Sequence, residues 1–154
     1  MVSRACLESN SLNNFSISTD GLASALQRSA SALKTAGNNI DESIGLITAG
    51  NQVVQDPESV GAAMRTIALR LTGTSVAVQQ LQELGEETDG VVTTVSKLRD
   101  VIMSATKVAS NGFKGIDILD NNGNYRSTAS VLQDIADIYN EIEETDKKTK
   151  SNNV

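Results

Sequence analysis

The residues best suited to chemistry lie between Asp117 and Asn124, where Asp117, Asp120, Asn122 and Asn124 bring several side-chain oxygens close together in the chain. The spacing superficially resembles a calcium loop. An EF-hand takes oxygens from its first, third and fifth loop positions, needs Gly at the sixth and a bidentate Glu at the twelfth. With Gly123 at the sixth position, Ile118 falls at the first and Ala129 at the twelfth, and neither side chain has an oxygen to give. The stretch is therefore expected to be an Asx-rich turn. Ser96 and Lys97 form a Ser–Lys pair, but Ser is abundant throughout, there is no His to act as base, and no Gly-x-Ser-x-Gly elbow occurs. Glu86 with Asp89, or Glu141 with Glu144, supplies the two carboxylates that glycoside hydrolysis requires. Sugar clefts also offer aromatic platforms, and the chain has two Tyr, two Phe and no Trp. Both acidic pairs fall at predicted helix ends, where solvated surface is the better reading. A phosphate-cradling Gly-x-x-x-x-Gly-Lys-Ser/Thr is absent, and no His with one Cys puts the usual tetrahedral zinc site out of reach. No catalytic, cofactor-binding or metal-ligating residue is nominated, and the chain is expected not to be an enzyme.

The elements around these residues follow from composition. A chain of 154 residues is long enough for one domain that buries about two-thirds of its unfolded surface. Aromatic residues make up 3% and Pro occurs once, so the core must come from Leu, Ile, Val and Ala, which suits packed helices better than a pleated sheet. The net charge of −6 argues against nonspecific binding to a nucleic-acid backbone, and no specific nucleic-acid site is expected. Lys147, Lys148 and Lys150 are the local exception and read as a solvated, disordered tail. Cys6 is alone, which excludes an intramolecular disulfide and fits assembly in a reducing cell. Met1 to Ser11 lacks an apolar signal-peptide core, and no stretch approaches the ~20 apolar residues of a transmembrane helix. The expected product is soluble and cytosolic.

Helix punctuation divides the chain. After a polar lead-in over residues 1–16, Ser18 is placed to cap a helix, with Ile17 outside the cap stapled to Leu22 and Asp20 in the first turn. Leu22, Leu26, Ala30 and Leu33 fall on one face, and Gly37 supplies a stop. Asn39 with Glu42 spells a capping box before the stripe Ile40, Ile44, Ile47 and Val54. Asp56-Pro57-Glu58 starts a third helix with Val60, Met64, Ile67 and Leu71 on one side and Arg65, Thr66 and Arg70 away from it; Gly73 ends it. Val76, Leu81 and Leu84 allow a short helix ending at Gly85, and Val91, Val95, Leu98 and Ile102 allow another. Gly112, Gly115 and Asn121-Asn122-Gly123-Asn124 are turn residues, and the last separate Ile116–Leu119 from Tyr125-Arg126 in the manner of a hairpin. A final helix carries Val131, Leu132, Ile135, Ile138, Tyr139 and Ile142, then dissolves into Glu141, Glu143 and Glu144. The expected fold is all-α: about five short amphipathic helices over residues 17–146, with at most one small β-hairpin near residues 115–127.

Several blocks go further than this physical reading. Ile17 to Gly73, which contains ALQRSASAL, DESIGLITAGN and VVQDPESVG, closely resembles a stretch of phage tail tape-measure proteins of Gram-positive hosts. TDGVVTTVSKLRD (Thr88 to Asp100) and GIDILDNNGNYRSTASVLQDIADIYNEI (Gly115 to Ile142) resemble later blocks of that family in the same order. The resemblance covers roughly residues 12–146. It implies a segment of a much longer protein whose sequence continues, where this chain has Lys147 to Val154, into a further apolar helical stretch. It also implies a location in the virion tail after assembly in the host cytoplasm. There several copies lie along the tube lumen, set tail length, and leave ahead of the DNA at infection. The implied partners are other copies of the chain, tail-tube and tail-tip proteins, and assembly chaperones. The resemblance brings no catalytic residues. The rival readings are a cell-wall hydrolase module, which some members carry elsewhere in their length, and a host helical adaptor.

Overall fold

The computed structural model describes residues 17–107 and 113–151, with side chains described as far as residue 139. Six helices are present among these residues: α1 (Thr19–Thr35), α2 (Ile40–Val54), α3 (Pro57–Thr72), α4 (Ser75–Glu83), α5 (Val95–Ala105) and α6 (Thr128–Ser151). No β-strand occurs among them, and the fold is all-α. The chain divides into two compact units, Met1–Leu69 and Arg70–Val154, with the boundary inside α3. The polar lead-in and Cys6 lie outside the described residues.

In the first unit the caps expected from sequence form. The Ser18 side chain accepts from the Gly21 N–H at 3.0 Å, and Ile17, just outside the cap, is buried against a cluster that includes Leu22. Gly37 ends α1 at positive φ, and the Asn38 N–H returns to the Leu33 carbonyl at 3.0 Å, which satisfies a carbonyl the helix leaves open. Asn39 and Glu42 form a reciprocal capping box, at 2.8 Å and 2.9 Å. A box of this kind contributes on the order of 1 kcal/mol. At α3 the Asp56 carboxylate accepts from the Glu58 N–H at 3.2 Å and from the Ser59 hydroxyl, and these bonds hold it below the usual carboxylate range.

The buried faces are rotated from the apolar stripes. Ala25, Ser29, Ala32 and Leu33 are buried on α1, whereas Ala30 is exposed. On α2 Ile47 is fully buried beside Ser43, Thr48 and Asn51, while Ile40 is 59% and Val54 54% exposed. On α3 the buried positions are Val60, Gly61, Ala68, Leu69 and Thr72; Met64, Ile67 and Leu71 are half-buried, and so are Arg65, Thr66 and Arg70, which the pattern places outside. The reason is the closeness of the helices. A Cβ on Gly61 would stand 2.6 Å from the Ala25 carbonyl oxygen, so α3 crosses α1 backbone against backbone. Small residues permit that approach and therefore occupy the centre of the contact. Ile17, Ala25, Ile47 and Val60 form the shared core, with Leu22, Leu26 and Met64 packed around it.

The second unit is built from α4, α5, α6 and the chain between the last two. Thr74 caps α4, where Ala77 and Leu81 are buried but Val76 is 61% exposed and Leu84 lies outside the helix. Ile116, Ile118 and Val131 form the core, lined by Val95, Leu98 and Ile102 from α5 and by Ile135 and Ile138 from α6. Val91 precedes α5 rather than belonging to it. Tyr139 is 61% exposed, and Ile142 lies outside the described side chains. The α6 backbone runs to Ser151, so Lys147, Lys148 and Lys150, expected in a disordered tail, are helical.

Candidate functional site

Polar side chains converge where residues 113–127 cross the ends of α5 and α6. The path of this segment is set by backbone contacts. Gly115 has φ +104°, and a Cβ there would lie 2.0 Å from the Met103 carbonyl oxygen, so only glycine lets the chain run against α5. The next residue is pinned by Thr106, whose hydroxyl accepts from the Ile116 N–H at 2.7 Å and donates to the Ile102 carbonyl at 2.7 Å. Ile116 and Ile118 then point into the core, and alternation leaves Asp117 on the polar side.

Asp120 organises the turn that follows. Its carboxylate accepts from the N–H groups of Asn122 and Asn124, at 2.8 Å and 2.9 Å, and from the Asn124 amide at 3.3 Å. The Gly123 N–H donates to the Asp120 carbonyl and the Asp120 N–H to the Asn124 carbonyl. This is a three-residue loop with Gly123 at positive φ, the conformation hairpin loops of this length favour. The expected hairpin goes no further than this: Leu119 and Tyr125 form an isolated antiparallel bridge, and no strand develops. Pairing stops because the Arg126 backbone leads directly into the α6 cap, where the Ser127 hydroxyl accepts from the Ser130 N–H at 3.1 Å.

Two arginines lock the segment to both helices. Arg99 of α5 holds the Asp117 carboxylate with two nitrogens, and Asp117 also accepts from the Leu119 N–H at 3.0 Å. Arg126 donates to the Asp117 carbonyl at 3.0 Å, to the Ser130 hydroxyl at 2.7 Å and to the Asp134 carboxylate at 2.6 Å. The Arg99 hydrogen bond holds the Asp117 carboxyl below the usual range, and the Asn124 N–H does the same for Asp120. Below this network the Tyr125 hydroxyl donates to the Thr72 carbonyl at 2.8 Å, and burial pushes its pKa up. Arg99, Asp117, Asp120 and Arg126 line an open recess of about 700 Å³.

Chemically this is a clamp. Proton transfer needs a group whose pKa lies near the working pH, and both Asp117 and Asp120 are moved away from it. Their oxygens are committed to backbone and guanidinium donors, as an Asx-rich turn requires. Among the described residues no group of three or more His, Cys, Asp or Glu is placed to hold a metal ion. Ser96 and Lys97 are exposed on α5. Glu86 meets Arg70 at 3.8 Å, Arg70 also donates to the Glu87 carbonyl at 2.8 Å, and Asp89 is exposed, so the acidic turn is fastened to the end of α3. Glu141 and Glu144 lie in α6 with their side chains outside the described set. Arg99, Arg126 and Asp134 were not among the sequence-derived candidates. Their one signal is Arg126 at the end of the Asp- and Asn-rich segment; nothing in the sequence near Arg99 or Asp134 points to the pairing.

The family model for phage-related minor tail proteins matches residues 9–153. The chain belongs to this family. No curated protein and no solved structure matches it. Membership in the phage-related minor tail proteins gives the chain a structural role in a phage tail and places it in the virion tail, among other tail components. In that setting the Arg99–Asp117–Arg126 clamp is a device for holding a helical module together. No helix among the described residues is long and apolar enough to cross a membrane.

Proposed function

We propose that this minor tail protein is a compact, non-enzymatic module of a tape-measure protein, which sets tail length during assembly and is released with DNA at infection. The observation that carries the reading is the family match over residues 9–153, together with the ordered blocks that resemble tape-measure sequences. Partners on this reading are further copies, tail-tube and tail-tip proteins and assembly chaperones. The folding of each unit supports the compact form. Ala25, Ile47 and Val60 come from three successive helices and share one core, and α5 and α6 face a common core in the second unit. Amphipathic helices joined by glycine and proline breakers fold back on one another to bury their stripes.

An in-frame deletion of Ser18 to Ile142 in the parent phage tests this. If the segment were one continuous helix of the ruler, each deleted residue would shorten the tail by about 1.5 Å. The compact module predicts far smaller shortening, or failure to assemble. Viable phage with the full helical shortening would refute it. Tails of unchanged length and normal yield would remove the segment from tail-length determination altogether.

A further inference from the structure

Asn122 stands directly before Gly123, the pairing in which a side-chain amide is most open to attack by the next backbone nitrogen, because glycine carries no side chain to shield it. Asn122 is exposed, and its side-chain amide makes no hydrogen bond among the described residues, whereas its own N–H is held by Asp120. A Cβ built on Gly123 would meet nothing within 4 Å, so that face of the turn is open to solvent. The attacking nitrogen, however, is engaged: the Gly123 N–H donates to the Asp120 carbonyl at 3.0 Å.

We propose that Asn122 is a site of spontaneous deamidation and that the Asp120-centred turn holds the reaction in check. Base removes the Gly123 N–H proton, and the nitrogen attacks Asn122 Cγ. The Cγ–Nδ2 bond breaks, and ammonia leaves with the proton it needs from solvent. The resulting five-membered imide then takes up one water at either carbonyl, and a C–N bond opens to give aspartate or isoaspartate. One amide and one water become one carboxylic acid and one ammonia, and nothing is oxidised or reduced.

The folded turn slows this in two ways. The Gly123 N–H is spent on the Asp120 carbonyl, and the adjacent carboxylate opposes negative charge developing on that nitrogen. Both products act back on the turn. Isoaspartate adds a methylene to the main chain of a three-residue loop whose ends are fixed by the Asp120 N–H to Asn124 carbonyl bond, at 2.9 Å. Aspartate adds a second charge beside Asp120. Opening followed by modification is therefore one-way, and it loosens the segment that Asp117 and Arg126 fasten to α5 and α6. This inference does not depend on the tape-measure reading.

The test incubates the full chain in mildly alkaline buffer, folded and in urea, and follows the tryptic peptide Gly115 to Arg126 by mass spectrometry with fragmentation to locate the site. The urea-unfolded chain should convert Asn122 several-fold faster than the folded chain. Asp120→Ala, measured folded, should move the rate toward the unfolded value. Asp120→Asn keeps the turn-forming side chain and removes its charge, and should give an intermediate rate even where the alanine variant does not fold. Tyr125→Phe removes the bond to Thr72 without touching the turn, and should keep the slow rate. Equal rates in folded and unfolded wild-type chain, or folded Asp120 variants no faster than wild type, would overturn the proposal. So would acceleration by Tyr125→Phe as large as that by Asp120→Ala.

Discussion

Replacing Gly115 by Ala tests whether the clamped segment really lies on α5. At φ +104° a side chain pays for a left-handed backbone, about 1–3 kcal/mol when the surroundings enforce it. The new Cβ would also stand 2.0 Å from the Met103 carbonyl oxygen and 2.6 Å from its carbon. Those atoms belong to a helix and cannot rotate aside, so the segment or α5 must move, which costs a further ~1–3 kcal/mol as in other overpacked sites. Gly115→Ala should therefore lose about 2–6 kcal/mol in total. Gly85→Ala separates the two contributions. Gly85 has φ +75°, but its Cβ would meet nothing within 4 Å, so only the backbone cost of about 1–2 kcal/mol applies. Both glycines lie in the Arg70–Val154 unit, and so do the two tyrosines of a chain without Trp, which makes tyrosine fluorescence in a urea melt the natural readout. If the two variants lose the same stability, the backbone approach between Gly115 and Met103 is wrong.

Two further outcomes follow from burial and charge. Ile47→Ala, at a fully buried position, should cost on the order of 2–5 kcal/mol in a urea melt followed by circular dichroism, whereas Val53→Ala, 85% exposed, should stay within about 0.5 kcal/mol; equal losses would show that α2 buries another face. The folded-state pKa of Asp117 is lowered by Arg99, so its contribution is present above the unfolded value, near pH 4, and is lost as pH falls through the folded value. Unfolding midpoints measured from about pH 5 down to about pH 2 should drop modestly, since both partners are partly exposed, and Asp117→Asn should flatten that drop; an unchanged slope would refute the linkage.

Much of the fold was legible because caps are local. Ser18, Asn39 with Glu42, and Asp56 before Pro57 act within three residues of themselves, and each does what its spacing implies. Burial is not local. Ile40, Ile44, Ile47 and Val54 read as one stripe, yet α2 buries Ile47 with Ser43, Thr48 and Asn51 and leaves Ile40 and Val54 exposed, and between α1 and α3 the close contact is Gly61 against Ala25. A pattern that scores large apolar side chains misses a contact centred on Gly, Ala and Ser. The same bias spread Ile67 and Thr66 to opposite faces of α3, where both are half-buried.

The site divides along the same line. Asp120, Asn122, Gly123 and Asn124 announced a turn, because an Asx side chain reaches its own backbone two residues on, and that turn is present. The possible hairpin of Ile116–Leu119 with Tyr125-Arg126 closes on the single Leu119–Tyr125 bridge, and no strand forms among the described residues. Strand pairing needs residues free to continue the ladder, and Ser127 has already begun capping α6. The charged clamp was illegible for a different reason. Arg99 and Asp117 stand eighteen residues apart, and nothing in either neighbourhood names the other. Arg126 and Asp134 are eight apart, and they meet because Arg126 lies just before the first turn of α6 while Asp134 projects from its second. The Arg99–Asp117 pairing depends on where the 113–127 segment crosses α5, and that crossing is fixed by the close approach of Gly115 to Met103. The residue that places the charges carries no charge itself, so a search for chemistry among the polar residues passes over it.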